Sequence, residues 1–269
     1  MLTTDAESVA ELNQKAKSEN AHLDVFLKVD IGYHRCGVEP HTKEAFEIPQ
    51  KIADSSNLNF AGILTHAGHS YHADTPEKLL AVAHEERDKM RGLAENLRSN
   101  GLEVPTVSVG STPTMSAIDN LEGITELRCG NYIFFDAFQA TLGSCNVSDC
   151  ALTVLAAIVH RDPARRKIVV DAGAVALSKD RGAVEFDSTC GYGWVYDLDG
   201  NDLNLRVGSL SQEHGEILVR DEATFNNFKV GNRVRILANH SCLTALQHSH
   251  YHILDDGKIV DRWEINRGW

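Results

Sequence analysis

The thirteen histidines of the 269-residue chain are unevenly placed. They gather at His66, His69 and His72, and again at His240, His248, His250 and His252. Imidazoles grouped this way suit metal binding or proton transfer near neutral pH. Polar side chains of other types recur in three short runs, Gly32-Tyr33-His34-Arg35-Cys36-Gly37, Ala67-Gly68-His69-Ser70-Tyr71 and Gly110-Ser111-Thr112-Pro113-Thr114. The third combines free backbone N–H groups, hydroxyls and a proline suited to a first helical turn, so it could hold an anion such as phosphate. An N-cap and turn without any ligand fits the same residues. Arg128-Cys129-Gly130-Asn131-Tyr132 could bring further backbone donors to that anion.

These runs need elements to hold them in place. Apolar spacing predicts helices over 6–18, 42–53 and 76–98 and a short one over 113–118, with strands over 23–30, 59–66 and 104–109 and strand-like segments over 124–135 broken at Cys129-Gly130. Regular β/α alternation implies parallel strands joined by crossover helices. Each polar run follows one of the strands, and the carboxyl ends of parallel barrel strands are where such folds build active sites. One polar loop alone needs no function; three in succession point to a site.

Behind about residue 150 the pattern turns to short β-rich runs, at 152–160, 167–171, 193–196, 203–207, 233–237 and either side of Asp255-Asp256-Gly257, and helical signals nearly vanish. The expected organisation is therefore α/β plus β, with domains at 1–145 and 146–269.

Composition narrows the classes. With 42% hydrophobic and 24% charged residues the chain reads as globular, and a formal charge of −12, from 26 basic and 38 acidic residues, offers no basic face for nucleic acid or an anionic membrane. No stretch approaches the ~20 apolar residues of a membrane span, and the N-terminus has neither a basic nor an apolar leader region. The expectation is a soluble, cytoplasmic protein. Six cysteines without a CxxC pair or regular spacing read as reduced thiols, several of them buried.

The runs VDIGYHRCGV, ILTHAGHSY, VSVGSTPT, ELRCGNYIFFD, SLSQEHG and VRILANHSCLTA…DRWEINRGW, in that order and over essentially the whole chain, resemble D-serine dehydratases and D-threonine aldolases. This family is one of alanine-racemase-like, fold-type III enzymes dependent on pyridoxal 5′-phosphate (PLP). The resemblance implies the C-terminal part of a PLP-binding (β/α)8, TIM-type barrel followed by an antiparallel β domain. It implies that Ser111, Thr112, Gly130 and Asn131 hold the cofactor phosphate, that Arg35 or Arg128 faces the pyridine ring, and that His66 and Tyr71 line the pocket. His66 and Arg35 are the candidate catalytic residues; a histidine at a strand end can equally be a hydrogen-bonded core residue.

His240-Ser241-Cys242 matches the family's zinc pair. In extended chain an i, i+2 pair presents both side chains on one face, and imidazole with thiolate suits Zn2+. Two protein ligands leave positions open for water or substrate, as in a catalytic site. His248, His250 and His252 alternate along a strand outside the family motif and read as solvated or packing residues.

The implied activity is a PLP- and zinc-dependent lyase acting on D-3-hydroxy amino acids, with D-serine dehydration to pyruvate and ammonia as first choice and D-threonine-type retro-aldol cleavage as the alternative. A homodimer is implied as well. The family's Schiff-base lysine lies on the first barrel strand, upstream of any motif found here, and only about four of eight strand-helix units can be counted; Lys28 does not match its motif. The chain thus reads either as a fragment of such an enzyme or as a shortened, non-catalytic protein that keeps a zinc or ligand pocket.

Overall fold

The computed structural model describes residues 1–267, so the last two residues of the DRWEINRGW run lie outside it. Two compact units divide at Gly130/Asn131. The change in composition put the domain boundary at 145/146; contacts group the intervening residues with the second unit.

The first unit runs β1 (Leu2–Thr3), α1 (Ala6–Ser18), β2 (Leu23–Lys28), α2 (Glu44–Ala53), β3 (Leu58–Leu64), α3 (Pro76–Ser99), β4 (Thr106–Val109), α4 (Thr112–Ala117) and β5 (Glu126–Leu127). The five strands form one parallel sheet in chain order, each beside its sequence neighbour. Val25 and Leu27 of β2, Ile63 of β3 and Val107 of β4 are fully buried with Val9 of α1, Ile48 and Ile52 of α2, and Met90 and Leu97 of α3. Each such side chain contributes about 1.5–3 kcal/mol by leaving water. Gly62 lets β3 and β4 approach closely: it has φ 139°, and a Cβ there would lie 2.0 Å from the carbonyl oxygen of Thr106. Helix α3 begins at Pro76 behind the N-cap Thr75, whose hydroxyl accepts the Lys78 N–H.

The expected strand-like stretch over 124–135 shrinks to the two residues of β5. Beyond it the chain enters a 3-10 turn over Asn131–Ile133, and Phe135 has φ 50°. The run is apolar enough to read as a strand, yet Leu127, Tyr132 and Ile133 are exposed, so no buried sheet face is there to hold it extended.

The second unit comprises α5 (Ala137–Thr141), β6 (Thr153–Asp162), β7 (Lys167–Val170), α6 (Ala174–Leu177), β8 (Gly193–Tyr196), β9 (Asp202–Leu210), β10 (Gly215–Leu218), α7 (Glu222–Asn227), β11 (Arg233–Ala238), α8 (Ser241–Ala245), β12 (His250–Asp255) and β13 (Lys258–Glu264). Six strands close into an antiparallel barrel in the order β10-β7-β6-β11-β8-β9, and β12 and β13 form a separate hairpin. Ile158, Ile168, Val170, Val195, Val207, Ile217 and Ile236, from all six barrel strands, make its core. Closure leaves no unpaired edge. In keeping with the sparse helical signals behind residue 150, helix in this unit is confined to short pieces of four to six residues in α5, α6, α7 and α8. Of the six cysteines only Cys190 is buried, while Cys36 and Cys242 are exposed, which corrects the expectation of several buried thiols.

Candidate active site

In the first unit the candidate residues stand where the parallel strands end. His66 follows β3, half-buried, with Nδ1 3.1 Å from the carbonyl oxygen of Gly110. A carbonyl only accepts, so Nδ1 carries the proton and Nε2 keeps its lone pair. Burial pushes the His66 pKa down, and Arg35, Lys28 and Arg128 push the same way against the Gly110 bond, so the ring is held neutral. Tyr33 packs edge-on to it with centroids 6.0 Å apart. Tyr71 sits on the 3-10 turn Gly68–His72 that follows. Arg35 is exposed, its guanidinium 5.2 Å from the centre of the Tyr33 ring.

Arg128 is anchored from two sides: Nε donates to Ser108 Oγ at 2.7 Å and the guanidinium also donates to the carbonyl of Thr65. Burial lowers its pKa. Lys28, on β2, is buried as well; burial lowers its pKa, and Arg128 and Arg35 act in the same direction while Cys36 opposes. The ends of β2 and β5 thus gather cations, Lys28, Arg35 and Arg128, which suits an anionic ligand.

Ser111 is the N-cap of α4: its Oγ accepts the Thr114 N–H at 3.3 Å and lies 2.9 Å from Ser70 Oγ and 3.0 Å from Thr114 Oγ1. Ser111 and Thr112 are 2% and 3% exposed. The Thr112 hydroxyl is different, being buried without a hydrogen-bond partner. A buried orphan donor is costly unless something binds it, so the turn fits a phosphate whose oxygens would accept from Thr112. Gly130 faces open space, with nothing within 4 Å of where a Cβ would stand.

The second unit holds the remaining candidates. Asn131 is expected from the sequence to serve the phosphate, but its amide nitrogen donates to Asp136 Oδ2 at 2.6 Å, Ser241 Oγ at 3.3 Å and Cys242 Sγ at 3.7 Å. It braces the His240-Ser241-Cys242 run. His240 and Cys242 are not on an extended strand as their spacing suggests. His240 ends the chain's extended path as the residue before α8, and Cys242 lies in that helix's first turn, because Asp136 Oδ2 accepts the Ser241 N–H at 2.9 Å and starts the helix there. The two side chains still meet, for Cys242 is a hydrogen-bonding neighbour of the His240 ring. His240 Nδ1 lies 2.6 Å from Asp180 Oδ2. Burial alone would lower the His240 pKa, but the hydrogen bonds of Asp180 and Cys242 and the charge of Asp136 outweigh it and push it up to about 10.

This donor set fits zinc: a histidine fixed by a carboxylate at Nδ1 leaves Nε2 for the metal, and an exposed thiol beside it supplies the soft ligand. Among the described residues no group of three or more His, Cys, Asp or Glu side chains is arranged to hold a metal. His248 does not join them; its Nε2 is 3.1 Å from the carbonyl oxygen of Ala176. His250 and His252 stand side by side on β12 with Nε2 atoms 3.3 Å apart, and Arg262 lies 3.1 Å from His250 Nδ1.

Asp180, Asp136 and Glu86 are the functional side chains that motif reading misses. Asp180 lies 60 residues from His240, with no sequence signal to join them. Asp136 is legible as the N-cap of α5 but not as the carboxylate that also fixes Asn131 and Ser241. Glu86 does leave a trace, a carboxylate on the buried stripe of α3.

Residues 1–137 match the family model of the alanine racemase N-terminal domain, and residues 151–254 match that of a putative serine dehydratase domain. The chain is 38% identical over 258 residues to D-serine dehydratase of Dictyostelium discoideum, covering 91% of this chain and 64% of that protein. It is also 38% identical over 258 residues to D-threo-3-hydroxyaspartate dehydratase of Delftia sp. (strain HT23), covering 94% of this chain and 68% of the relative. The solved structure of that Delftia enzyme superposes with a TM-score of 0.94 at 36% identity, covering all of this chain and 72% of its own. The chain belongs to the D-serine dehydratase family of alanine-racemase-like, fold-type III PLP proteins. It spans roughly two thirds of the length of these relatives, 64% and 68%.

Proposed function

We propose that this chain is the greater part of a PLP- and zinc-dependent lyase that dehydrates a D-3-hydroxy amino acid, with D-serine as the substrate giving pyruvate and ammonia. The observation that carries the proposal is the His240–Cys242 pair with Asp180 bonded behind the imidazole. Relatives support it. A cysteine-to-alanine variant of the Delftia dehydratase has been solved in a metal-free form, and a histidine-to-alanine variant two positions earlier has been solved too, the spacing of His240 and Cys242. The two relatives at 38% identity are both dehydratases, while at 26–28% stand the D-serine dehydratases of Saccharomyces cerevisiae and Schizosaccharomyces pombe together with 3-hydroxy-D-aspartate aldolase of Paracoccus denitrificans and D-threonine aldolase of Arthrobacter sp.. The parallel sheet is read as part of the family's (β/α)8 barrel.

When bound, PLP supplies an electron sink for the substrate's α-carbon and zinc a Lewis acid for its β-hydroxyl. The residues of the chain do the rest. Thr112 donates its unpartnered hydroxyl to the cofactor phosphate, joined by backbone N–H groups of the Gly110–Thr114 turn. Arg128, fixed by Ser108 and Thr65, would face the pyridine ring. His66 stays neutral with its Nε2 lone pair able to take a proton, beside the charge of Arg35; by family resemblance Tyr71 would line the cofactor pocket with it. Asp180 fixes the His240 ring at Nδ1, and Asn131 donates to the Cys242 sulfur.

The reading includes a cytoplasmic homodimer, and no helix among the described residues is long and apolar enough to cross a membrane. The β12–β13 hairpin exposes Leu254, Ile259, Val260 and Trp263, and a two-stranded hairpin alone is marginal in water, which supports a covering copy. Light scattering that finds an active monomer would remove the dimer. The activity is tested by supplying the gene product with PLP, zinc and D-serine, D-threonine or D-threo-3-hydroxyaspartate in turn. Pyruvate with ammonia from D-serine is expected; glycine with acetaldehyde from D-threonine, in the absence of pyruvate from D-serine, would overturn the dehydratase reading.

A further inference from the structure

Helix α3 buries Leu79, Ala83, Glu86, Met90, Leu93, Ala94 and Leu97 along one stripe, and a single carboxylate interrupts the apolar series. Glu86 is fully buried, with no exposed surface. An unpaired charge in such a place costs several kcal/mol unless hydrogen bonds replace its water. Oε1 accepts the N–H of Ala67 at 3.2 Å and the N–H of Gly110 at 3.1 Å, and Oε2 accepts the Thr114 hydroxyl at 2.8 Å. All three partners are donors. Burial raises the Glu86 pKa while these three bonds pull it back.

The partners are not arbitrary. Ala67 follows His66, Gly110 precedes Ser111, and Thr114 closes the capping box with Ser111. One side chain therefore fixes the spacing between the loop that carries His66 and the turn that carries Ser111 and Thr112. It also sets the direction of a hydrogen-bond chain. Because the Thr114 proton goes to Glu86, Thr114 Oγ1 accepts from Ser111 Oγ, and Ser111 Oγ in turn accepts from Ser70. The Ser111 proton is thus committed to Thr114, and the hydroxyl left without a partner is that of Thr112.

We propose that Glu86 is a positioning residue for the cofactor phosphate, holding the two loops in register and committing the Ser111 hydroxyl to the interior so that Thr112 is the side-chain donor to the anion. This rests on the PLP reading above. The conservative variant Glu86→Gln keeps the shape and can still accept both backbone N–H groups, but its amide must donate to Thr114, which reverses the chain through Ser111. Thr114→Val removes the link without touching a charge.

The test is titration of the full chain and of both variants with PLP and with pyridoxal, which lacks the phosphate, beside melting curves. Preference for PLP over pyridoxal is expected to fall about tenfold in each variant, the effect of one charge-assisted hydrogen bond, while pyridoxal affinity stays as in wild type. A residue serving only stability would lower the melting temperature and leave that preference intact, and this result in Glu86→Gln overturns the inference alone. If Glu86→Gln does not fold, Thr114→Val decides by the same ratio. A wild-type chain that binds PLP no better than pyridoxal overturns the cofactor reading and the inference with it.

Discussion

Replacing Asp180 by Asn should loosen zinc without removing a ligand. Asp180 Oδ2 lies 2.6 Å from His240 Nδ1, a charge-assisted hydrogen bond that fixes the ring. An asparagine amide can present its oxygen to the same proton, but the charge that makes the imidazole a better donor to the metal is gone. Loss of such an outer carboxylate typically weakens a metal site by about 10- to 100-fold. The Asp180 side chain is 36% exposed, so solvent screens part of its charge and the lower end applies. The expected loss is about tenfold, or about 1.4 kcal/mol. Competition with a chromophoric chelator at fixed pH measures it, with Cys242→Ala and Cys145→Ala as the outer limits. Cys242→Ala loses the thiolate itself and should no longer hold zinc, while Cys145→Ala should match wild type. Wild-type affinity in Asp180→Asn would refute the orienting role, and equal zinc content in the two cysteine variants would refute the ligand assignment.

His66 makes stability depend on pH. Its folded pKa is depressed, chiefly by burial, so its contribution is fully present above the unfolded value of about 6.5 and is lost as pH falls through the folded value. Denaturant melts at a series of pH values should show a decline below pH 6.5 that is smaller in His66→Asn; parallel profiles for the two proteins would contradict this. Gly62→Ala places a methyl group 2.0 Å from the Thr106 carbonyl at φ 139° and should cost about 2–4 kcal/mol, read from the urea midpoint, and a shift below 1 kcal/mol would show that β3 and β4 are free to part.

Much of this architecture is legible in the residues. Helices over 6–18 and 76–98 follow from amphipathic stripes with clear caps at Asp5 and Thr75, and the structure has them at Ala6–Ser18 and Pro76–Ser99. Short elements are harder: β1 and β10 have two and four residues, too few for periodicity to show. The extended reading of His240 to Cys242 fails because a distant carboxylate, Asp136, captures the Ser241 N–H and turns the chain into a helix. Spacing alone cannot report a partner 105 residues away. Ser111 and Thr112 look alike as hydroxyls in sequence, and only their hydrogen bonds separate a helix cap from a buried hydroxyl without a partner. Glu86 breaks the apolar stripe of α3, a signal that was present, though what it binds is set by the tertiary fold.

The lyase assignment with its zinc pair is tested most directly by following pyruvate released from D-serine by the full-length gene product, before and after zinc is stripped with a chelator, in wild type and His240→Ala. Pyruvate formation is expected from D-serine but not L-serine, to stop on chelation, to return with added zinc in wild type, and to stay absent in His240→Ala. Turnover that survives chelation, or that persists in His240→Ala, would contradict the assignment.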